Sequence, residues 1–112
     1  MSVRHRMKLT PENFEKLKNS EKKFEARLND EKRKALQVGE RVEFAKLPEL
    51  ETSLIVEITS LNVYKNFSEL YADHPEVMIG ASKDEFLKEM YSHYTKEEEE
   101  KYGVMGIGVL LV

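Results

Sequence analysis

The 112-residue chain predicts an α+β fold: a small curved β-sheet or β-barrel of about five strands, with helices in the connections. Three observations point there. Period-2 alternation of apolar and polar residues recurs along the chain and is strictest over residues 23–29. Both ends of the chain read as strands. Helix-start signals at Thr10-Pro11, Ser82–Glu85 and Thr95–Glu98 interrupt the strands in the order β-α-β-β-β-α-α-α-β, without βαβ regularity.

Residues 4–9, Arg-His-Arg-Met-Lys-Leu, alternate and form a short first strand. Thr10 then caps a helix with Pro11 at its first position and Glu12 in its first turn. Phe14 and Leu17 share one face, and the helix ends near Asn19-Ser20. The second strand follows at once: Phe24, Ala26 and Leu28 on one face, Lys23, Glu25, Arg27 and Asn29 on the other. Residues 30–36 make one or two helical turns, and Val38-Gly39-Glu40 turns the chain. Arg41–Phe44 is a third strand, with Pro48 confining residues 45–51 to a loop or edge connection.

Thr52–Tyr64 is the longest strand signal. Leu54, Val56, Ile58 and Ser60 share a parity that Leu61 and Val63 break, which predicts a bulge or strong bend near Thr59-Ser60. Asn66 or Ser68 caps a short helix carrying Phe67, Leu70 and Tyr71, closed by His74-Pro75, and Gly80-Ala81 is a loop. Ser82–Glu85 opens a helix whose Phe86, Leu87, Met90, Tyr91 and Tyr94 form one buried stripe. Thr95–Glu98 opens another, with the Glu97–Glu100 run read as a solvated helix start. Gly103 ends it. Val104–Val112 completes the chain as an apolar strand in which Gly106 and Gly108 imply close backbone packing.

A chain of this size supports one domain, spanning residues 1–112, with one hydrophobic core. There is no cysteine, so neither disulfides nor thiolate chemistry enters, and a reducing cytoplasm is the expected location. Met1–Met7 is positive but has no apolar run behind it, so no secretory signal is expected. The longest apolar stretch, residues 103–112, is too short to span a bilayer, so no membrane partner is expected. The net charge of −3 is unevenly spread: residues 1–34 hold 11 Lys/Arg against 6 Asp/Glu. A polyanion would therefore meet the N-terminal third, while the acidic remainder argues against coating of long nucleic acid. His5, His74 and His93 show no metal-ligand spacing, so no metal is expected.

The polar face of the second strand carries the chemistry. Glu25 and Arg27 are i, i+2 neighbours within pairing reach, and Lys22 enters from the preceding turn. Such a cluster is either a solvated face or a binding site for an anionic or amide-bearing ligand. Pattern alone ranks the solvated face first.

Residues 20–27 resemble the G-x-K-x-x-E-x-R motif of the ASCH domain (activating-signal-cointegrator homology), a member of the PUA-like barrel superfamily. Lys22, Glu25 and Arg27 fall on the motif's Lys, Glu and Arg. Ser20 stands where the family usually has Gly, a difference that matters if that turn needs a positive φ. Residues 7–9, 27–33, 38–44, 64–70 and 102–107 are also similar to blocks of small bacterial and archaeal single-domain ASCH proteins, so the resemblance spans essentially the whole chain.

The resemblance implies a small β-barrel with a cleft beside the motif that binds RNA or a nucleotide- or nucleoside-like molecule, without a cofactor. It puts a binding cleft ahead of a solvated face. Arg27 then grips a phosphate or stacks on a base, Lys22 adds a point charge, and Glu25 accepts from an amino group or orients Arg27. Tyr64 and Tyr71 offer stacking surfaces, or are core tyrosines with a wet hydroxyl. One branch of ASCH-like proteins hydrolyses the amide of N4-acetylcytidine, keeping the Lys and using a Thr nucleophile where this chain has Glu25. If this chain is an enzyme, Lys22 and Glu25 are its catalytic groups, with Glu25 a base for water. Glu69, Asp73 and Glu76 are the candidates for that branch's third acid. Whether catalysis occurs, and the oligomeric state, stay open at the level of sequence.

Overall fold

The strand predicted over 52–64 is the element about which the sheet curls. A computed structural model describes residues 3–77 and 81–112. Its strands are β1 (Val3–Leu9), β2 (Phe24–Leu28), β3 (Arg41–Lys46), β4 (Ser53–Tyr64) and β5 (Val104–Leu111). The helices are α1 (Pro11–Lys18), α2 (Glu31–Lys34), α3 (Phe67–Asp73), α4 (Lys83–His93) and α5 (Lys96–Tyr102), with a 3₁₀ turn at Pro75–Val77. One sheet runs β1-β3-β4-β5-β2, parallel between β1 and β3 and antiparallel elsewhere.

The register of β4 on β5 shifts between Ile58 and Ser60, where the parity break in the sequence predicts a bulge. Before it, Val56 and Ile58 are fully buried; beyond it, Leu61 opposite Ile107 takes over the inward face. The extra residue bends the strand and coils the sheet into a half-barrel. One core fills its hollow: Met7, Phe14, Leu17, Phe44, Ile58 and Ile107 are each at most 2% exposed. Burial of each such side chain stabilises by about 1.5–3 kcal/mol. A second core lies on the other face of β2 and β5, where Phe24, Leu28, Phe67, Leu70, Phe86 and Val104 meet under α3 and α4.

The start signals act as read. Thr10 accepts from the Asn13 amide, Asn66 from Glu69, and Ser82 and Thr95 each close a full capping box. The Phe86–Tyr94 stripe packs on the second core. The expected Gly80-Ala81 loop lies partly outside the described residues.

Three expectations need correction, whereas His74 does cap α3 as expected and Pro75 opens a separate 3₁₀ turn. The third strand runs on to Lys46, because Pro48 restricts only its neighbour Leu47 while the Lys46 amide still bonds the Thr52 carbonyl at 2.9 Å. Gly106 and Gly108 admit side chains more than backbone: a Cβ at Gly106 would lie 2.5 Å from the Phe24 ring, and one at Gly108 would strike Ser60. The Glu97–Glu100 run is not solvated throughout. The helical period turns Glu99 inward, where it is 7% exposed and accepts from the Phe67 amide and the Tyr91 hydroxyl, both at 2.9 Å. Burial, then the Glu99 carboxylate, pushes the Tyr91 hydroxyl up to about 12.

Candidate functional site

The two edges of the half-barrel, β1 and β2, approach each other where Arg27 Nη2 donates to the Lys8 carbonyl at 3.0 Å. Along this seam lies a cavity of about 160 Å³. Its walls come from the end of β1, the start of α1, β2 and the inner side of α4.

The path that delivers Lys22 to this cavity is set by the end of α1. Ser20 takes φ 59°, its amide bonds the Leu17 carbonyl, and the Glu21 amide bonds the Lys16 carbonyl at 2.9 Å. These are the two bonds of a Schellman motif with Ser20 at its left-handed position. The turn therefore does need the positive φ for which glycine is suited, and a serine adopts it here. The chain leaves the helix sharply, and Lys22 points inward.

Glu25 faces Ile107 across the β2–β5 ladder, and Arg27 faces Met105. Both side chains thus lie on the concave face of the sheet, with the first core. Lys22 Nζ is 3.4 Å from Glu25 Oε1, and Arg27 Nη2 is 3.4 Å from Glu25 Oε2. Lys22 Nζ also donates to the Val77 carbonyl at 2.7 Å. The ordinary expectation of a solvated face is overturned: Lys22 is 7% exposed and Glu25 4%. A strand can look half-buried in sequence and be covered on both faces, here because β1 and α4 close over the polar side.

The triad is incompletely satisfied. Glu25 Oε1 and Arg27 Nε are buried without a hydrogen-bond partner among the described residues. A buried carboxylate oxygen left in this state is costly unless a ligand donor meets it. Facing it across the cavity are Glu89, His93 and Tyr94 of α4, with His93 Nε2 3.2 Å from Glu89 Oε1. Periodicity assigns Tyr94 to the apolar stripe and His93 to the surface. Neither assignment reveals that α4 forms the opposite wall, because that depends on packing between residues more than 60 positions apart.

Tyr64 sits elsewhere. It is outside the described lining of the cavity; its hydroxyl donates to Asp73, and burial followed by that bond raises it to about 12. Tyr71 donates to the Ala81 carbonyl. Of the three candidate acids, Glu69 bonds the Lys65 amide, Asp73 holds Tyr64 and Glu76 pairs with His74 at 2.8 Å. None of the three is among the residues lining the cavity, whereas Glu89 is. Among the described residues no group of three or more His, Asp or Glu is placed to hold a metal ion, and no helix is long and apolar enough to cross a membrane.

The family model of the ASCH domain matches residues 7–112. The chain belongs to the ASCH domain family. Two solved structures are similar over nearly their whole length. The crystal structure of hypothetical protein PH0355 shares 31% identity at a TM-score of 0.84, covering 96% of this chain and 98% of that one. The solution structure of protein PF0455 from Pyrococcus furiosus shares 29% identity at a TM-score of 0.75, covering 97% and 98%. Among curated proteins none is similar enough to this chain to count as a match. For this ASCH domain, the half-barrel holds Lys22, Glu25 and Arg27 of the motif-like segment together at one cavity, and the family's Gly position falls on the left-handed turn that leads into it.

Proposed function

We propose that this ASCH domain is an RNA- or nucleotide-binding module whose ligand places a base-like group between β2 and α4. The observation that carries this reading is the buried Oε1 of Glu25, which has no hydrogen-bond partner among the described residues and lies at the cavity with Lys22 at 3.4 Å and Arg27 beside it. An exocyclic amino or ring N–H group donating to Oε1 would complete its hydrogen bonding, and the adjacent ammonium and guanidinium accommodate carbonyl or phosphate oxygens. A cavity of about 160 Å³ lies below the range of about 300–1,000 Å³ usual for drug-sized ligands, so the group that enters is one base-like fragment. Tyr94, on the opposite wall, supplies an aromatic surface in place of Tyr64.

A thermal-shift and calorimetric screen of nucleosides, nucleotides and short RNAs tests it, run on the wild type, Glu25→Gln and Arg27→Ala. At least one compound should stabilise the wild type and lose affinity about tenfold or more in both variants. Binding of no compound, or binding indifferent to both changes, removes the proposal.

A hydrolytic reading is favoured by one feature: the Glu89–His93 pair faces the Lys22–Glu25 pair within a single cavity. Glu25 would then take a proton from water as its oxygen adds to the carbon of an acylated nucleoside amide, and Lys22 would steady the oxyanion. Glu25 would return the proton to the nitrogen as the C–N bond breaks, releasing a carboxylic acid and the free amino nucleoside. Turnover of N4-acetylcytidine that falls in Lys22→Ala and Glu25→Gln would support this reading. No wild-type turnover would end it.

A further inference from the structure

Beyond Arg27, on the far side of the seam from the Glu25 cavity, lies a second hollow of about 360 Å³. It is lined by Arg6, Met7 and Lys8 of β1, Arg27 of β2, and Lys32 and Arg33 of α2. Five of these six residues are cationic, and no carboxylate is among the described residues that line the space.

The carboxylates nearby are committed to the arginines. Glu43 lies 3.4 Å from Arg6, Glu25 lies 3.4 Å from Arg27, and Asp30 holds Arg33 at 3.1 Å. Each arginine is thereby oriented while keeping donors to spare, and the Nε groups of Arg27 and Arg33 are buried without a hydrogen-bond partner. Lys8 and Lys32 have no carboxylate within ion-pair distance among the described residues. The uncompensated charge is felt locally. Lys32 is held below its ordinary value, first by burial and then by the positive charges of Arg33 and Arg27, with Asp30 opposing them and Lys8 adding to them. Oriented guanidinium forks beside unpaired ammoniums are suited to a tetrahedral polyoxyanion.

We propose that this hollow is a phosphate subsite: the phosphoester of a nucleotide rests on Lys8, Arg27, Lys32 and Arg33 while the attached base occupies the Glu25 cavity. Lys8 and Arg27 line both spaces, so they join the two subsites across the seam. The assignment of the base rests on the function proposed above. The anion site itself stands on the second hollow alone.

The experiment compares each ribonucleoside with its 5′- and 3′-monophosphates and with an RNA octamer, by calorimetry at low salt, in the wild type, Lys32→Ala and Lys32→Arg. Inorganic phosphate is titrated separately into ¹⁵N-labelled protein. The monophosphate should bind the wild type about tenfold more tightly than its nucleoside. That ratio should fall to about threefold or less in Lys32→Ala and recover in Lys32→Arg. The octamer's salt slope should drop by about 0.7 in Lys32→Ala. A larger gain for the octamer than for the mononucleotides identifies a strand as the natural source of the phosphate; equal gains identify a free nucleotide. A wild-type ratio near one, or a ratio indifferent to Lys32→Ala, overturns the subsite while leaving the base cavity standing. Phosphate that shifts the amides of residues 31–34 when no nucleoside binds supports the subsite and removes the base cavity. Silence in every titration overturns both.

Discussion

Replacing Lys22 with Met tests whether the Lys22–Glu25–Arg27 cluster is held for binding or for stability. The change keeps the length of the side chain and removes its charge. Across 3.4 Å, at an effective dielectric constant of about 20, each contact to Glu25 is worth about 5 kcal/mol of gross attraction. Most of that is offset by the desolvation of side chains only 8% and 5% exposed. Losing Lys22 takes the neighbouring ammonium from Glu25 Oε1, which already lacks a hydrogen-bond partner, and the net destabilisation should be about 3 kcal/mol, near the low end for a broken buried pair. For a domain of this size the melting temperature should fall by roughly 10–15 °C. In Lys22→Met/Glu25→Leu both charges go together, while Arg27 keeps the Lys8 carbonyl and some access to water. That variant should lie within about 1 kcal/mol of the wild type, about 2 kcal/mol more stable than Lys22→Met alone. Urea unfolding followed by circular dichroism, with equal m values, measures all four corners of the cycle. Additive losses in the double variant would show that the cluster is an ordinary stabiliser, and the reasoning from an uncompensated site would fail. A Lys22→Met variant as stable as the wild type would show that the pair does not persist in solution.

Three further changes probe the scaffold. Ser20→Gly should stabilise by about 0.5–1 kcal/mol, since relief of the left-handed conformation at φ 59° exceeds the entropy glycine adds to the unfolded chain; a loss of stability would deny the strain. Glu99→Ala strands the Phe67 amide and the Tyr91 hydroxyl and should cost about 2–4 kcal/mol, with Glu99→Gln losing less; equal stability by thermal melting would contradict the buried role. Glu40 is held below its ordinary value of 4.5, first by the hydrogen bond with His5 and then by the Gln37 amide and Arg4. A depressed carboxylate contributes stability above its unfolded value and loses it as pH falls through the folded one. The urea-midpoint gap between wild type and Glu40→Gln should therefore be open at about pH 6 and close below about pH 4; a gap independent of pH refutes it.

The fold was legible wherever a signal is local. Alternation marks the strands, Thr10, Asn66, Ser82 and Thr95 cap their helices, and the parity break after Ile58 locates the bulge. The proximity of Lys22, Glu25 and Arg27 was legible too, since strand spacing and one turn settle it. Their burial was not, because it is created by β1 and α4, which the sequence holds far from β2. For the same reason alternation could not tell a solvated face from a covered one. Glu99 looked like its neighbours in an acidic run, and only the position of α3 gives it a buried amide to hold. Tyr64 was read as either a stacking surface or a core tyrosine with a wet hydroxyl, and its ring packs on the second core, on the other face of the sheet from Glu25.

The most direct measurement is amide chemical-shift mapping of ¹⁵N-labelled protein titrated with the nucleosides, nucleotides and short RNAs of the screen. The strongest shifts should fall on residues 22–27 and on residues 89–94 of α4, the two walls that meet at the cavity. Shifts confined to the outer face of α3 and α5, or a spectrum that does not change for any of these compounds, would contradict it.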